Sequence, residues 1–161
     1  MRSCHPSNEL APPSLDDAAP LPLPTRQLPD READFASALE WFERGCQLDS
    51  NPETFEEAIR AYDNALRADP EFADAHCNLG TVHYNRGERD RARACYEEAL
   101  RYDSEHVEAN FNLGNLLEEV GQREAALRRY KLAIRADPLF PDAQLNLALL
   151  YEKFELRRKA K

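Results

Sequence analysis

Only five glycines, one tryptophan and one methionine occur in 161 residues, and the scarcities are informative. The glycines are scattered, so no glycine-rich loop exists to cradle a phosphate. Cysteine is sparse and irregular: Cys4, Cys46, Cys77 and Cys95 include no Cys-x-x-Cys pair. That suits free thiols in a reducing compartment better than a disulfide framework or a zinc site. No apolar run approaches a membrane span, and Arg2 is not followed by a signal-peptide core. A cytoplasmic protein with no membrane partner is expected. Cations are outnumbered, 21 Lys and Arg against 30 Asp and Glu, for a formal charge of −9. Nucleic acid needs neutralising cations and is therefore not an expected partner, whereas a basic protein segment is.

Proline is unevenly distributed. Seven of the eleven fall in the first thirty residues, among them the run "APPSLDDAAPLPLPTRQLP". Such composition cannot bury enough apolar surface to offset ordering entropy, so residues 1–30 are predicted to be a disordered, proline-rich arm. One expectation is that this arm lies in a groove of its own domain and must be displaced. Residues 31–161 form the folded part.

From residue 35 onward, apolar side chains recur at three- and four-residue intervals among Ala, Leu, Glu and Arg, the pattern of helices. The pattern repeats every thirty-four residues, aligning Ala58, Ala92 and Ala126; Tyr62, Tyr96 and Tyr130; Ala65, Ala99 and Ala133; and Arg67, Arg101 and Arg135. Each unit reads as helix A, a turn at Gly87 or Gly121, and helix B ended by Asp69-Pro70 or Asp137-Pro138. The arginine column complements the dipole at the end of helix B and is read as structural. Repeats are expected at about 37–70, 73–104 and 107–138, with a terminal helix over 141–157. Gly45 to Ala58 is one residue longer than the equivalent stretches, which places an insertion in the first turn, near "LDSNPE".

These columns resemble the tetratricopeptide repeat family, whose signature is Trp-x2-Leu-Gly-x2-Tyr, then Ala-x3-Phe, then Pro. The signature appears as Trp41-x2-Arg44-Gly45-x2-Leu48, His76-x2-Leu79-Gly80-x2-His83, Asn110-x2-Leu113-Gly114-x2-Leu117 and Gln144-x2-Leu147-Ala148-x2-Tyr151. Its second part is Ala58/Tyr62, Ala92/Tyr96 and Ala126/Tyr130. The resemblance implies an all-α fold, an α-solenoid of antiparallel helix pairs whose A helices line a concave surface. Like units stack because a single pair cannot cover its own apolar face.

Turning 100° per residue, positions 4, 7, 8 and 11 of each A helix face the core, and positions 2, 5, 6, 9, 12 and 13 face away from it. Position 6 is asparagine three times, at Asn78, Asn112 and Asn146, and position 2 is acidic three times, at Asp74, Glu108 and Asp142. Asparagine is a poor helix former, so three in register need a reason. Packed helices lie about 8–10 Å apart, the span of three extended residues. The amides are therefore expected to hold an extended peptide by its main chain. The acids would favour basic side chains, with Phe111, Leu145 and Leu149 as apolar floor. The competing expectation is that the asparagines brace the stack.

Within the family, asparagine and acid ladders look like the substrate-guiding arm of protein O-GlcNAc transferases. The clamp for acidic chaperone tails fits badly, since Phe42, Glu108 and Asn112 stand at its basic positions. No catalytic, cofactor or metal site is expected. His76 and His83 are seven apart and differ in height by about 10 Å on a helix. Ser104-Glu105-His106 reads as a turn with a helix cap. The expected function is a non-catalytic protein-interaction scaffold. The alternative is a substrate-recruiting or regulatory fragment of a larger enzyme or transcription regulator. The terminal helix, apolar nearly all round, is expected to continue into further chain or to associate with another molecule.

Overall fold

The computed structural model describes residues 31–159, with side chains resolved from 36 to 155. The predicted arm lies outside the described residues. Seven α-helices follow in order: α1 (Arg31–Leu48), α2 (Phe55–Ala68), α3 (Ala73–Asn85), α4 (Arg89–Tyr102), α5 (Val107–Glu119), α6 (Arg123–Ala136) and α7 (Pro141–Lys159). They form three antiparallel pairs, α1/α2, α3/α4 and α5/α6, each packed on the next, with α7 against α6. No strand occurs among the described residues.

The turns follow from local chemistry. Gly87 and Gly121 take φ of +78° and +80°, the left-handed region in which other side chains are strained. There the next residue's N–H reaches back into the ended helix, Glu88 to the His83 carbonyl and Gln122 to the Leu117 carbonyl. Between units, the aspartate before each break does more than precede a proline. Asp69, Asp103 and Asp137 each accept from the backbone N–H two residues on, at 3.0, 3.0 and 2.9 Å. That side-chain turn needs no proline, which explains why Ser104 substitutes for it. The longer first turn is closed by a 3₁₀ segment, Pro52–Thr54, with Asn51 capping Glu53 and the Thr54 hydroxyl bonded to the Leu48 carbonyl.

The core is built on a seat that recurs in every full pair. The rings of Tyr62, Tyr96 and Tyr130 are almost wholly buried. Each lies against a glycine of its partner A helix. A Cβ added at Gly45, Gly80 or Gly114 would stand 2.5, 2.8 or 2.6 Å from the ring, so no larger residue fits without displacement. The alanine columns Ala58/Ala92/Ala126 and Ala65/Ala99/Ala133 are fully buried and let the helices approach closely.

One expectation needs correcting. Each A helix is flanked by the preceding B helix as well as its own, so its apolar sector is wider than four positions. Ala75 and Val82 join the cluster around α2, and Ala109, Leu116, Ala143 and Leu150 are equally buried. Cys77, assigned to the side away from the core, is also buried, 2% exposed. Burial pushes its thiol up to about 12, with Glu108 and Asp74 adding to the shift.

Candidate functional site

α3 and α5 touch directly, whereas α4 and α6 are separated by a cleft with α5 at its floor. At this junction the A side is the more closely packed, which makes it the inner face there. This face carries a polar seam written once per junction. Asn78 donates to the Cys46 sulfur at 3.5 Å and to the Tyr62 hydroxyl at 3.4 Å. Asn112 donates to the Thr81 hydroxyl oxygen at 3.4 Å, and Asn146 donates to Oδ1 of Asn115 at 2.8 Å. The same three acceptors meet the buried tyrosines: Tyr62 to Cys46 at 3.6 Å, Tyr96 with Thr81 at 3.4 Å, and Tyr130 to Asn115 at 2.9 Å. Each seam thus joins a B helix, its A partner and the next A helix.

The asparagines are therefore brought into register, but their amide N–H groups are turned back on the preceding helix. Bracing uses the donors. The side-chain carbonyl oxygens of Asn78, Asn112 and Asn146 accept no hydrogen bond among the described residues. The ladder's acids sit differently from one another. His106 caps α5 by accepting from the Ala109 N–H at 3.3 Å, and its other ring nitrogen lies 3.0 Å from Asp74. Glu108 lies 3.4 Å from the capping nitrogen, which already accepts from Ala109, and all three acids of the ladder are exposed. Of the apolar floor, Phe111 is half-buried, edge-on to Phe140 at 5.2 Å. Leu145 and Leu149 are 58% and 44% exposed.

Several inner-face residues went unassigned in the sequence. A cavity of about 500 Å³ opens between α3, α5 and α7, lined by Tyr84, Glu118, Glu119, Arg123 and Lys153 together with the seam residues Asn115, Tyr130 and Asn146. Glu118 accepts from Tyr130 at 3.1 Å and from Lys153 at 2.5 Å; Glu119 accepts from Tyr84 and, at 3.1 Å, from Arg89. The bond to Glu119 holds the Tyr84 hydroxyl above its ordinary pKa, with burial adding to it. Burial does the same for Tyr62 and Tyr130, reinforced by Asp49 and Glu118. The one signal that could have found the seam was the small polar column Cys46, Thr81 and Asn115, which lies 31 or 32 residues before each asparagine. Among the described residues, no group of three or more His, Cys, Asp or Glu converges on a metal site. None of the described helices is long and apolar enough to cross a membrane.

Family models described as TPR repeat and tetratricopeptide repeat match residues 53–87, 73–106 and 112–156. Among curated proteins, none matches this chain in sequence. Solved structures share the fold. The first TPR of Spaghetti (RPAP3), bound to the HSP90 peptide SRMEEVD, is 18% identical with a TM-score of 0.69, covering 75% of this chain and 95% of its own. The Arabidopsis OM64 TPR domain is 17% identical with a TM-score of 0.69, covering 74% and 98%. MamA is 22% identical with a TM-score of 0.67, covering 80% and 75%. With its glycine–tyrosine seats, its left-handed glycine turns and three family-model matches, this chain belongs to the tetratricopeptide repeat family.

Proposed function

We propose that this chain is a non-catalytic, cytoplasmic interaction scaffold whose inner face holds an extended segment of a protein partner. The observation that carries the reading is the row of three asparagine carbonyl oxygens, one per junction, left over once the amide donors have braced the stack. Each can accept an N–H from a passing main chain. Leu145 and Leu149 give the segment exposed apolar contact, and Asp74, Glu108, Asp142, Glu118 and Glu119 set a negative field that selects basic side chains. The neighbour bound to SRMEEVD holds an acidic peptide, and the acidic lining here argues for the opposite character.

Asn112→Ala tests this. The domain should still fold, with a stability loss of about 1 kcal/mol from the broken brace. Affinity for lysine-rich extended peptides, read by fluorescence anisotropy, should fall several-fold. Asn112→Asp keeps an acceptor and should retain binding. If stability falls but affinity for every such peptide is unchanged, the asparagines are braces only.

A second reading makes these repeats the substrate-recruiting or regulatory part of a larger enzyme or transcription regulator. It is favoured by α7, where Leu145, Leu149 and Tyr151 stand exposed, with no helix among the described residues packed over them. Association through this helix would appear as concentration-dependent sedimentation, removed by Leu149→Glu.

A further inference from the structure

On the opposite side of the stack, α4 and α6 leave an open cleft of about 330 Å³. Its apolar lining is Leu113 and Leu117 of α5 with Ala125 and Leu132 of α6, and Arg93, Arg128 and Arg129 stand around it. α6 is the most basic helix in an acidic chain. It carries Arg123, Arg128, Arg129, Lys131 and Arg135 against Glu124 alone, while the whole molecule has a charge of −9.

Repeat packing does not require these arginines. Thirty-four residues earlier, the places of Arg93, Arg128 and Arg129 are held by Ile59, Ala94 and Cys95. The floor persists, with Leu79 in the place of Leu113, while Leu132 gives way to Glu98. What stacking demands recurs in each unit; this rim occurs once. The guanidinium groups are also only lightly engaged. Arg129 donates to Asn110 at 3.2 Å, which fixes its place on the wall, and Arg93 pairs with exposed Glu97 at 2.8 Å. Arg128 is exposed and has no acceptor among the described residues. A guanidinium has five N–H donors in a planar fork suited to a carboxylate, so all three retain binding capacity.

We propose that the α4/α6 cleft is a second docking surface, which takes an acidic segment of a protein partner. One apolar side chain of the segment packs on Leu117 and Leu132, and flanking carboxylates meet Arg93, Arg128 and Arg129. A protein segment rather than nucleic acid is the occupant. The pit's floor is apolar, and a phosphate backbone has no apolar side chain to fill it. The two faces would then take partners of opposite charge at once.

The test uses a fluorescent synthetic peptide of glutamates and aspartates around a central leucine, titrated with the full chain. Binding should weaken with added salt and with replacement of the leucine by serine. It should fall by roughly tenfold or more in the double variant Arg93→Glu, Arg128→Glu, whose far-UV circular dichroism reports an intact fold. Asn112→Ala should leave it unchanged. No binding, binding indifferent to the double variant, or binding lost instead with Asn112→Ala would overturn the proposal. So would an oligonucleotide that binds in the peptide's place. A concentration-dependent dimer abolished by the double variant would assign the cleft to a second copy of this chain and overturn it equally.

Discussion

The inner seam and the outer cleft of the same repeats obey different rules. The seam recurs at each of three junctions with the same parts: a buried tyrosine, a small polar acceptor and an asparagine from the next helix. The cleft's arginine rim occurs once. Where stacking sets the requirement, a column of the sequence keeps its chemistry through every unit. Where it sets none, each unit is free to differ, and a partner's chemistry can be written there. The seam is therefore expected to govern stability and the rim to govern only binding.

Alkaline pH should separate the two most widely. Burial raises the Tyr62, Tyr96 and Tyr130 hydroxyls above their ordinary values, and it pushes the Cys95 and Cys77 thiols up to about 11 and about 12. All are neutral in the fold and ionise earlier in the unfolded chain, so the unfolded state binds fewer protons over that interval. Stability is then complete below about pH 9, the ordinary thiol value, and is lost as pH rises through about 11 and about 12. Urea midpoints taken across that range should fall continuously, with the tyrosinate absorbance of Tyr62, Tyr96 and Tyr130 appearing only as the domain unfolds. A flat midpoint would break the contrast.

Next in size is the tyrosine seat. Tyr130→Ala should cost about 3–5 kcal/mol through the cavity it leaves. Gly114→Ala should cost about 1–3 kcal/mol, because the added methyl meets the ring and overpacks the seat. Both are read from denaturant unfolding. A neutral or stabilising Gly114→Ala would mean that the ring moves aside freely, and the seat would cease to be the organising contact.

The smallest effect belongs to the rim. Arg128→Ala should change stability by less than about 0.5 kcal/mol, as is usual for an exposed side chain with no specific partner. A larger loss in the same unfolding experiment would make the rim part of the stack and erase the distinction between the faces.

Much of this was legible before any coordinates. The thirty-four-residue period places Gly87 and Gly121 in turns and Tyr62, Tyr96 and Tyr130 in one buried column. Cys77 shows where the reading stopped. A helical wheel treats a helix as having one buried side, and position 5 falls opposite it, yet a helix inside a stack is covered from several directions. The aspartate turns are marked in the sequence by Asp69, Asp103 and Asp137, a column kept even where Ser104 replaces the proline. Glu118, Glu119 and Lys153 had no column to mark them, since only the third unit places two acids together at the end of its A helix.

By itself, the sequence determined that helices form in pairs, where they turn and that like units stack. These depend on local propensity and on a period, both carried by residues close together along the chain. Only the tertiary structure decided which atoms of each asparagine remain available. It also decided that His106 caps α5 with one ring nitrogen and meets Asp74 with the other, and that arginines of α4 and α6 share a cleft. Those facts depend on groups about thirty residues apart meeting across a junction, and a hydrogen bond forms or fails over a few tenths of an ångström, which no spacing rule specifies.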